Sequence, residues 1–381
     1  MWTFPFYTDN AATLDWEGLK RAYPWVRDME GVEQDPIFHA EGDVAIHTRM
    51  VISELLSLDA FKALDPTQKH VMFASALLHD VEKRSTTTRE FEKGREVVTS
   101  KGHAKKGEHT TRAILYKEIP TPFALRESVC KLVRQHSLPI RLFDKDSPQK
   151  EVLKHSLDGN NHLLAMIARA DMQGRTSLAD DMDELLCNID LFIEQCKEEQ
   201  CYSGPGPFAS DLTRFNYFRK DGGVWPQQET FDDTICNAYI MCGIPASGKD
   251  HYIRQHLSHL PVVSMDDLRR QHGLTRNVNS DRGQIIQMAK NEAKKHLRKK
   301  QDFVWNATNV TRSTRESVIN EIAAYRAKIH IVYVEKSYKR LLVDNLDREH
   351  PVKESAIEHF ITKLDIPSLT EAHTVTYHIN E

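Results

Sequence analysis

The stretch Gly243-Ile-Pro-Ala-Ser-Gly-Lys-Asp250 decides the fold of the C-terminal half. It follows a short apolar run, "TICNAYIMCG", and opens a charged stretch of helical character. Strand, glycine-rich turn and helix in that order form the setting in which a phosphate-binding loop works. Gly243 and Gly248 let backbone N–H groups curl around phosphate oxygens, with Ser247 inside the loop. The helix N-terminus adds partial positive charge, and Lys249 reaches the β and γ phosphates. The expected ligand is ATP or another nucleoside triphosphate with Mg²⁺. The usual pattern closes on Ser or Thr, whose hydroxyl touches Mg²⁺; here Asp250 closes it. A carboxylate is also a hard oxygen ligand, which puts Asp250 on the metal side. An acid in that place also stabilises a helix N-terminus with no metal at all.

Working outward, "PVVSMDD", "DFVWNATN" and "AKIHIVYVEK" are further strand candidates separated by charged helical stretches. Such alternation predicts a parallel sheet flanked by helices over residues 233–381. In "VVSMDDLRR" (262–270) a strand ends on two acids with an arginine soon after. In a kinase, a carboxylate just past the second strand accepts the proton of the incoming hydroxyl. A nearby arginine can fork onto a substrate phosphate. Taken alone, the same acids also read as a helix cap.

Residues 1–200 have a different texture. "HTRMVISELLSL", "QKHVMFASALLHDVEK", "RESVCKLVRQHSL" and "HLLAMIARADMQGR" place apolar residues three and four apart, and strand-like alternation is scarce. An all-helical domain is expected there. "YSGPGPFAS" and "RKDGGVWPQQ" break regular structure, so 201–232 is expected as a connector.

The chain has 381 residues, enough for two domains with their own cores. Its formal net charge of −4 gives no global pull on nucleic acid, so any such binding needs a local basic groove. Neither a signal peptide nor a bilayer-spanning run is evident. Six scattered cysteines without a CxxC pair point to a reducing, cytoplasmic setting.

In the helical half, "LLHDVEK" carries His79 and Asp80 side by side on an apolar helix. An adjacent imidazole and carboxylate can share one metal. His47 in "AIHTRMV" and Asp171 in "IARADMQGR" lie on other apolar helices. The mixed N/O set favours Mn²⁺, Co²⁺, Ni²⁺ or Fe²⁺ over Mg²⁺. Lys83 reads either as a phosphate contact on the same helix face or as a solvated lysine.

The order of His47, His79-Asp80 and Asp171 resembles the HD-domain phosphohydrolases. "KGHAKKGEH" and "LVRQHSLP" sharpen the likeness toward the HD domain attached to tRNA nucleotidyltransferases. That resemblance implies a second metal, bridged by Asp80 and held by His103 and His136. His109, His155 and His162 read as surface or structural histidines. The order GxPxSGK, DDxxR-like element, "NATN" and "DNLDREHPV" resembles the phage-type polynucleotide 5′-kinases. The likeness implies that Asp266 is the general base, that Arg269 binds the phosphate 3′ of the accepting nucleotide, and that Arg348 contacts the donor phosphates from a lid. Three positions depart from the pattern: Asp250 in the loop, Asn306 where related kinases often have Asp, and Asp344 where a second lid arginine is expected.

The whole chain resembles the bacterial HD-domain polynucleotide kinases, which are RNA end-healing enzymes. The resemblance implies phosphorylation of 5′-OH ends and hydrolysis of 2′,3′-cyclic, 2′- or 3′-phosphate ends. RNA ends, or DNA ends, would be the partners, no membrane would be involved, and a separate RNA ligase would act afterwards. The alternative from another class is a small-molecule kinase fused to a nucleotide phosphohydrolase. "MWTFPFY" offers rings for base stacking or for packing on its own domain. "KNEAKKHLRKK" (290–300) is a basic run that reads as a backbone track or a solvated helix face.

Overall fold

The computed structural model describes residues 2–8, 14–92, 94–220, 222–274, 279–348 and 350–380. The chain divides into two compact units, Met1–Gly206 and Pro207–Glu381.

The first unit is mainly helical. Helix Pro66–Leu78 is its centre, with every residue from His70 to Leu78 buried. It starts at a capping box in which Asp65 and Gln68 satisfy each other's backbone N–H groups, with Pro66 at the first position. Helices Val44–Ser57, Phe123–Gln135 and Asn161–Gln173 pack around it through Val51, Leu55, Leu132, Val133, Leu164 and Ile167. The opening aromatic segment is packing: Phe4 and Tyr7 are buried against Phe73, and Phe4 N donates to His70 Nδ1. A buried ion network ties helix His103–Lys117 to Phe123–Gln135. Arg112 Nη2 lies 2.8 Å from both Glu108 and Glu127, and Arg126 Nε lies 2.8 Å from Glu127.

Two features of this unit differ from the sequence reading. An antiparallel hairpin, β1 (Thr88–Glu92) and β2 (Arg95–Thr99), interrupts the helices. β1 is mostly exposed and charged and β2 buries only Val97, so the hairpin lacks the apolar alternation by which strands are recognised. His79 and Asp80 also lie just past their helix rather than on it. The helix ends at Leu78, where His79 Nδ1 turns back to the Ala76 carbonyl and Val81 N bonds the Leu78 carbonyl. Lys83 then opens a separate short helix, Lys83–Thr86.

The second unit holds a five-stranded parallel sheet of β3 (Cys236–Cys242), β4 (Val262–Ser264), β5 (Phe303–Asn306), β6 (Ala327–Lys336) and β7 (Thr374–Asn380). Their order is β4-β5-β3-β6-β7. Helix Lys249–His256 covers one face through Ile253 and Leu257, packed with Met241, Val304, Val332 and Val334. Strand order reverses at β3, so the crevice at its carboxyl end is where such sheets bind ligands. The four foreseen strands are β3 to β6. The edge strand β7 is unforeseen, and it is only half-buried.

The segment 201–232, expected as a connector, divides between the units. Asn161 Nδ2 donates to the Cys201 carbonyl in the first unit. Helix Asp211–Arg219 belongs to the second, where Arg214 donates to the carbonyls of Leu369 and His373. The basic run 290–300 lies largely on helix Asn279–Arg298, where Lys290 and Lys294 pair with Glu321. No helix among the described residues is long and apolar enough to cross a membrane.

Candidate functional sites

In the helical unit, four imidazoles point their Nε2 atoms at two aspartates. His47 Nε2 lies 3.1 Å from Asp171 Oδ1 and 3.7 Å from Asp80 Oδ2. His79 Nε2 lies 3.2 Å from Asp80 Oδ2. On the other oxygen of the same carboxylate, His103 Nε2 lies 3.3 Å from Asp80 Oδ1 and 3.4 Å from His136 Nε2. The donor atoms of His47, His79 and Asp80 lie within 4.8 Å of one another, and so do those of Asp80, His103 and His136. All six residues expected as ligands therefore meet at one place.

The opposite edges of these rings are anchored. His79 Nδ1 donates to the Ala76 carbonyl at 2.8 Å, His136 Nδ1 to Val133 at 2.9 Å, and His103 Nδ1 to Ser100 at 2.8 Å. His47 Nδ1 lies 3.0 Å from Glu41 Oε1. Fixing Nδ1 of His79, His103 and His136 selects the tautomer whose Nε2 lone pair faces inward, which is how metal-binding histidines are held. Buried His79 Nε2 and Asp80 Oδ1 have no hydrogen-bond partner among the described residues. Orphaned buried donor atoms are costly in water-free surroundings. A divalent cation between them removes that cost, so the residues fit one.

The electrostatics agree. Burial opposes the charge of Asp80, but the charges of Lys83, His79 and His103 outweigh it and hold the carboxyl well below its usual range. Burial likewise opposes Asp171, and its contact with His47 Nε2 and the neighbouring His79 and His136 hold it low. Burial, then the neighbouring His103, pushes His136 down to about 4, so it is a neutral imidazole at working pH. Lys83 Nζ lies 2.7 Å from Asp80 Oδ2 and donates to Gln34.

Glu41 is a site residue that sequence reasoning missed. Its Oε1 faces both His39 Nδ1 at 2.9 Å and His47 Nδ1 at 3.0 Å, and its Oε2 accepts from Thr176 N at 2.9 Å. It sits in "HAEGD", a loop with no periodic signal. His39 packs edge-on against His47, whereas the three histidines read as surface or structural do not join the cluster. His155 bonds Asn161, His162 packs at a tilt against Tyr202, and His109 is half-buried on helix His103–Lys117.

In the second unit, the loop after β3 takes positive φ values at its two glycines and also at Ala246, whose φ is 68°. Gly243 has φ 148° and Gly248 φ 106°; a Cβ on Gly243 would lie 2.4 Å from the Val334 carbonyl oxygen. Ser247 is buried in the turn. Lys249 Nζ donates to the carbonyls of Gly243 at 2.8 Å and Ile244 at 3.0 Å, so it lies within the loop it is meant to serve. Burial pushes its ammonium down to about 8, against the opposing charges of Asp250 and Asp266, while Arg348 adds to the lowering. Lys249, Asp250, Asp266 and Arg348 thus share one electrostatic neighbourhood.

Asp266 opens helix Met265–His272, which Ser264 caps through the N–H of Asp267. One turn on, Arg269 pairs with the Asp266 carboxylate. Two of the departures from the kinase pattern touch each other: Asn306 Nδ2 donates to Asp250 Oδ1 at 2.7 Å. The carboxylate expected at the end of β5 is carried instead by the loop helix, with the amide as its partner. Asn309 Nδ2 donates to the Met241 carbonyl and Gly243 N to Thr308, which bonds "NATN" to the phosphate loop. Arg315, also missed, locks that segment by pairing with Glu371 and donating to the Asn309 and Asp365 carbonyls.

Comparison with known proteins bears on this unit. Residues 239–367 match the family model AAA_33, described as an AAA domain. A solved structure described as a "putative kinase from chloroflexus aurantiacus j-10-fl" is similar at 18% identity and a TM-score of 0.33, covering 39% of this chain and 86% of that one. A likeness so low speaks to neither substrate nor mechanism. No curated protein matches the chain. Residues 239–367, which match that model, hold a glycine-rich loop between β3 and a helix in a parallel sheet, the setting in which nucleotide phosphates are bound.

Proposed function

We propose that the chain is a bifunctional RNA end-healing enzyme. The second unit phosphorylates 5′-OH ends from ATP or another nucleoside triphosphate. The first is an HD-type phosphohydrolase that removes 2′,3′-cyclic, 2′- or 3′-phosphate ends. The observation that supports the reading is that one chain holds two sets of groups suited to phosphoryl transfer: six converging imidazoles and carboxylates that could hold metal, and a glycine-rich loop with its lysine, followed by an aspartate–arginine pair. One set suits water as the nucleophile and the other suits a hydroxyl.

In the kinase, Asp266 takes the proton of the attacking 5′-hydroxyl. Arg269, freed from Asp266 by the acceptor, forks onto the phosphate 3′ of the accepting nucleotide. Lys249 moves from the loop carbonyls to the transferring phosphoryl group, and Arg348 neutralises charge from the opposite side. Asp250, oriented by Asn306, would hold Mg²⁺, which would supply charge neutralisation for the triphosphate. In the phosphohydrolase, His47, His79 and Asp171 would hold one divalent metal, His103 and His136 a second, and Asp80 would bridge them. Mn²⁺, Co²⁺ or Ni²⁺ there supplies Lewis-acid charge neutralisation and an activated water. Lys83 steers the phosphoester toward the cluster.

The test is one RNA oligomer bearing a 5′-OH and a 2′,3′-cyclic phosphate, incubated with γ-labelled ATP, Mg²⁺ and Mn²⁺. Label at the 5′ end together with loss of the cyclic phosphate is expected. Untouched RNA with consumption of free nucleotides would replace this reading with the fused metabolite kinase and phosphohydrolase.

A further inference from the structure

We propose that Lys336 is a second cation for the triphosphate chain of the donor nucleotide, standing in for the lid arginine whose place Asp344 takes, and that Asp344 positions it. The inference rests on the kinase reading of the second unit. Lys336 is the last residue of β6, the strand hydrogen-bonded to β3 on the side away from β5. Its side chain lies along the phosphate loop. A Cβ built on Gly248 would sit 3.3 Å from Lys336 Cε and 3.7 Å from its Nζ. Gly248 immediately precedes Lys249, so the two ammonium groups flank the same turn of backbone.

Helix Tyr338–Leu346 follows β6 directly and carries Asp344. Asp344 Oδ2 lies 2.5 Å from Lys336 Nζ, and its Oδ1 lies 2.7 Å from Arg340 Nε. One carboxylate therefore serves two cations beside the loop. Lys336 and Asp344 are both about one-fifth exposed, whereas Arg340 is mostly solvated. The hydrogen bond and charge of Lys336 hold the Asp344 carboxyl below its usual range, so it stays ionised wherever the enzyme works.

A solvated ion pair does little for stability. Its location gives this one a use. An ammonium has three donor directions, so Lys336 can keep Asp344 while turning another N–H to a phosphate oxygen. Lysine alone would sample many rotamers; the carboxylate holds its long side chain over the loop before nucleotide arrives. Moving the cation from the lid helix to the strand end makes phosphate capture independent of lid closure. The departure at Asp344 thus relocates a charge instead of deleting one.

The experiment is titration calorimetry of Mg·ATP binding to the full chain. Five variants join the wild type: Lys249→Ala, Lys336→Met, Lys336→Arg, Asp344→Arg and Lys336→Met/Asp344→Arg. Lys336→Met should weaken binding about tenfold, the loss of one charge-assisted hydrogen bond. Lys336→Arg keeps the charge and should stay within about threefold of wild type. In the double variant the arginine returns the cation to the helix and should recover most of the loss. A merely structural lysine would not be rescued in that way, so failure of the rescue overturns the inference. Binding lost in Lys249→Ala but unmoved in Lys336→Met also overturns it, and leaves the kinase reading standing. A wild type that binds no Mg·ATP overturns both.

Discussion

Replacing Glu41 by Gln tests whether the six converging ligands form a metal centre. Glu41 touches no ligand-facing nitrogen; it acts on the back of His47. Its contacts to neighbours require an acceptor: His39 Nδ1 at 2.9 Å, His47 Nδ1 at 3.0 Å and Thr176 N at 2.9 Å. Burial opposes its charge, but His39, His47 and the backbone N–H groups of Thr176 and Glu41 hold the carboxyl far below its usual range, so it presents two acceptor oxygens throughout working pH. A glutamine has one. With its oxygen toward the histidines, its NH₂ meets the Thr176 N–H. Turned round, its NH₂ meets the His47 edge and favours the tautomer whose Nε2 bears hydrogen. Either way one buried donor faces another, at a cost of about 1–3 kcal/mol. Passed on to the ligand, that predicts about a 10- to 100-fold loss in metal affinity. The assay is Mn²⁺ titration calorimetry of the metal-stripped full chain, with phosphohydrolase rate against Mn²⁺ concentration alongside. The half-saturating concentration should rise by that factor, excess Mn²⁺ should restore the rate, and kinase activity should not change. Unchanged metal affinity in a folded variant would refute the reasoning.

Lys249 sets the alkaline limb of the kinase. Its ammonium titrates near 8 in the free enzyme, is charged below that pH and neutral above it, and only the charged form binds phosphate. kcat/KM for ATP should therefore fall above pH 8, by about tenfold per unit; a profile flat to pH 10 would contradict it. Asp250→Ser restores the common loop ending but removes a charge that raises the Lys249 pKa. Activity should persist with a changed Mg²⁺ and Mn²⁺ optimum and an alkaline limb moved to lower pH, whereas an unchanged metal profile would leave Asp250 as a helix-end charge only. Glu127→Ala strips the buried partner of Arg112 and Arg126, and should destabilise the first unit by about 3–5 kcal/mol. Urea denaturation should show its transition shifting while that of the second unit stays.

The residues that converge were legible because histidine and aspartate recur in the separate apolar stretches "LLHDVEK", "AIHTRMV" and "IARADMQGR". The orienting atoms were not, since they belong to backbone carbonyls of Ala76, Val133 and Ser100 and to a loop glutamate. Strands β3 to β6 announce themselves as apolar runs, whereas β7 is half-exposed at the sheet edge and the β1–β2 hairpin is held by polar cross-strand pairs such as Thr88 opposite Thr99. The departures at Asp250, Asn306 and Asp344 looked like three losses in the sequence. In three dimensions Asn306 is the partner of Asp250, and Asp344 is the partner of Lys336. Each pairing joins residues that no local spacing rule connects.

The central claim is that two independent sites act on the two ends of one substrate. Its most direct test sets Lys249→Ala against Asp80→Ala on the RNA with a 5′-OH and a 2′,3′-cyclic phosphate. Lys249→Ala should leave the 5′ end unlabelled and still remove the cyclic phosphate; Asp80→Ala should do the reverse. Equal loss of both activities in either variant, or removal of the cyclic phosphate by Asp80→Ala, would contradict the account.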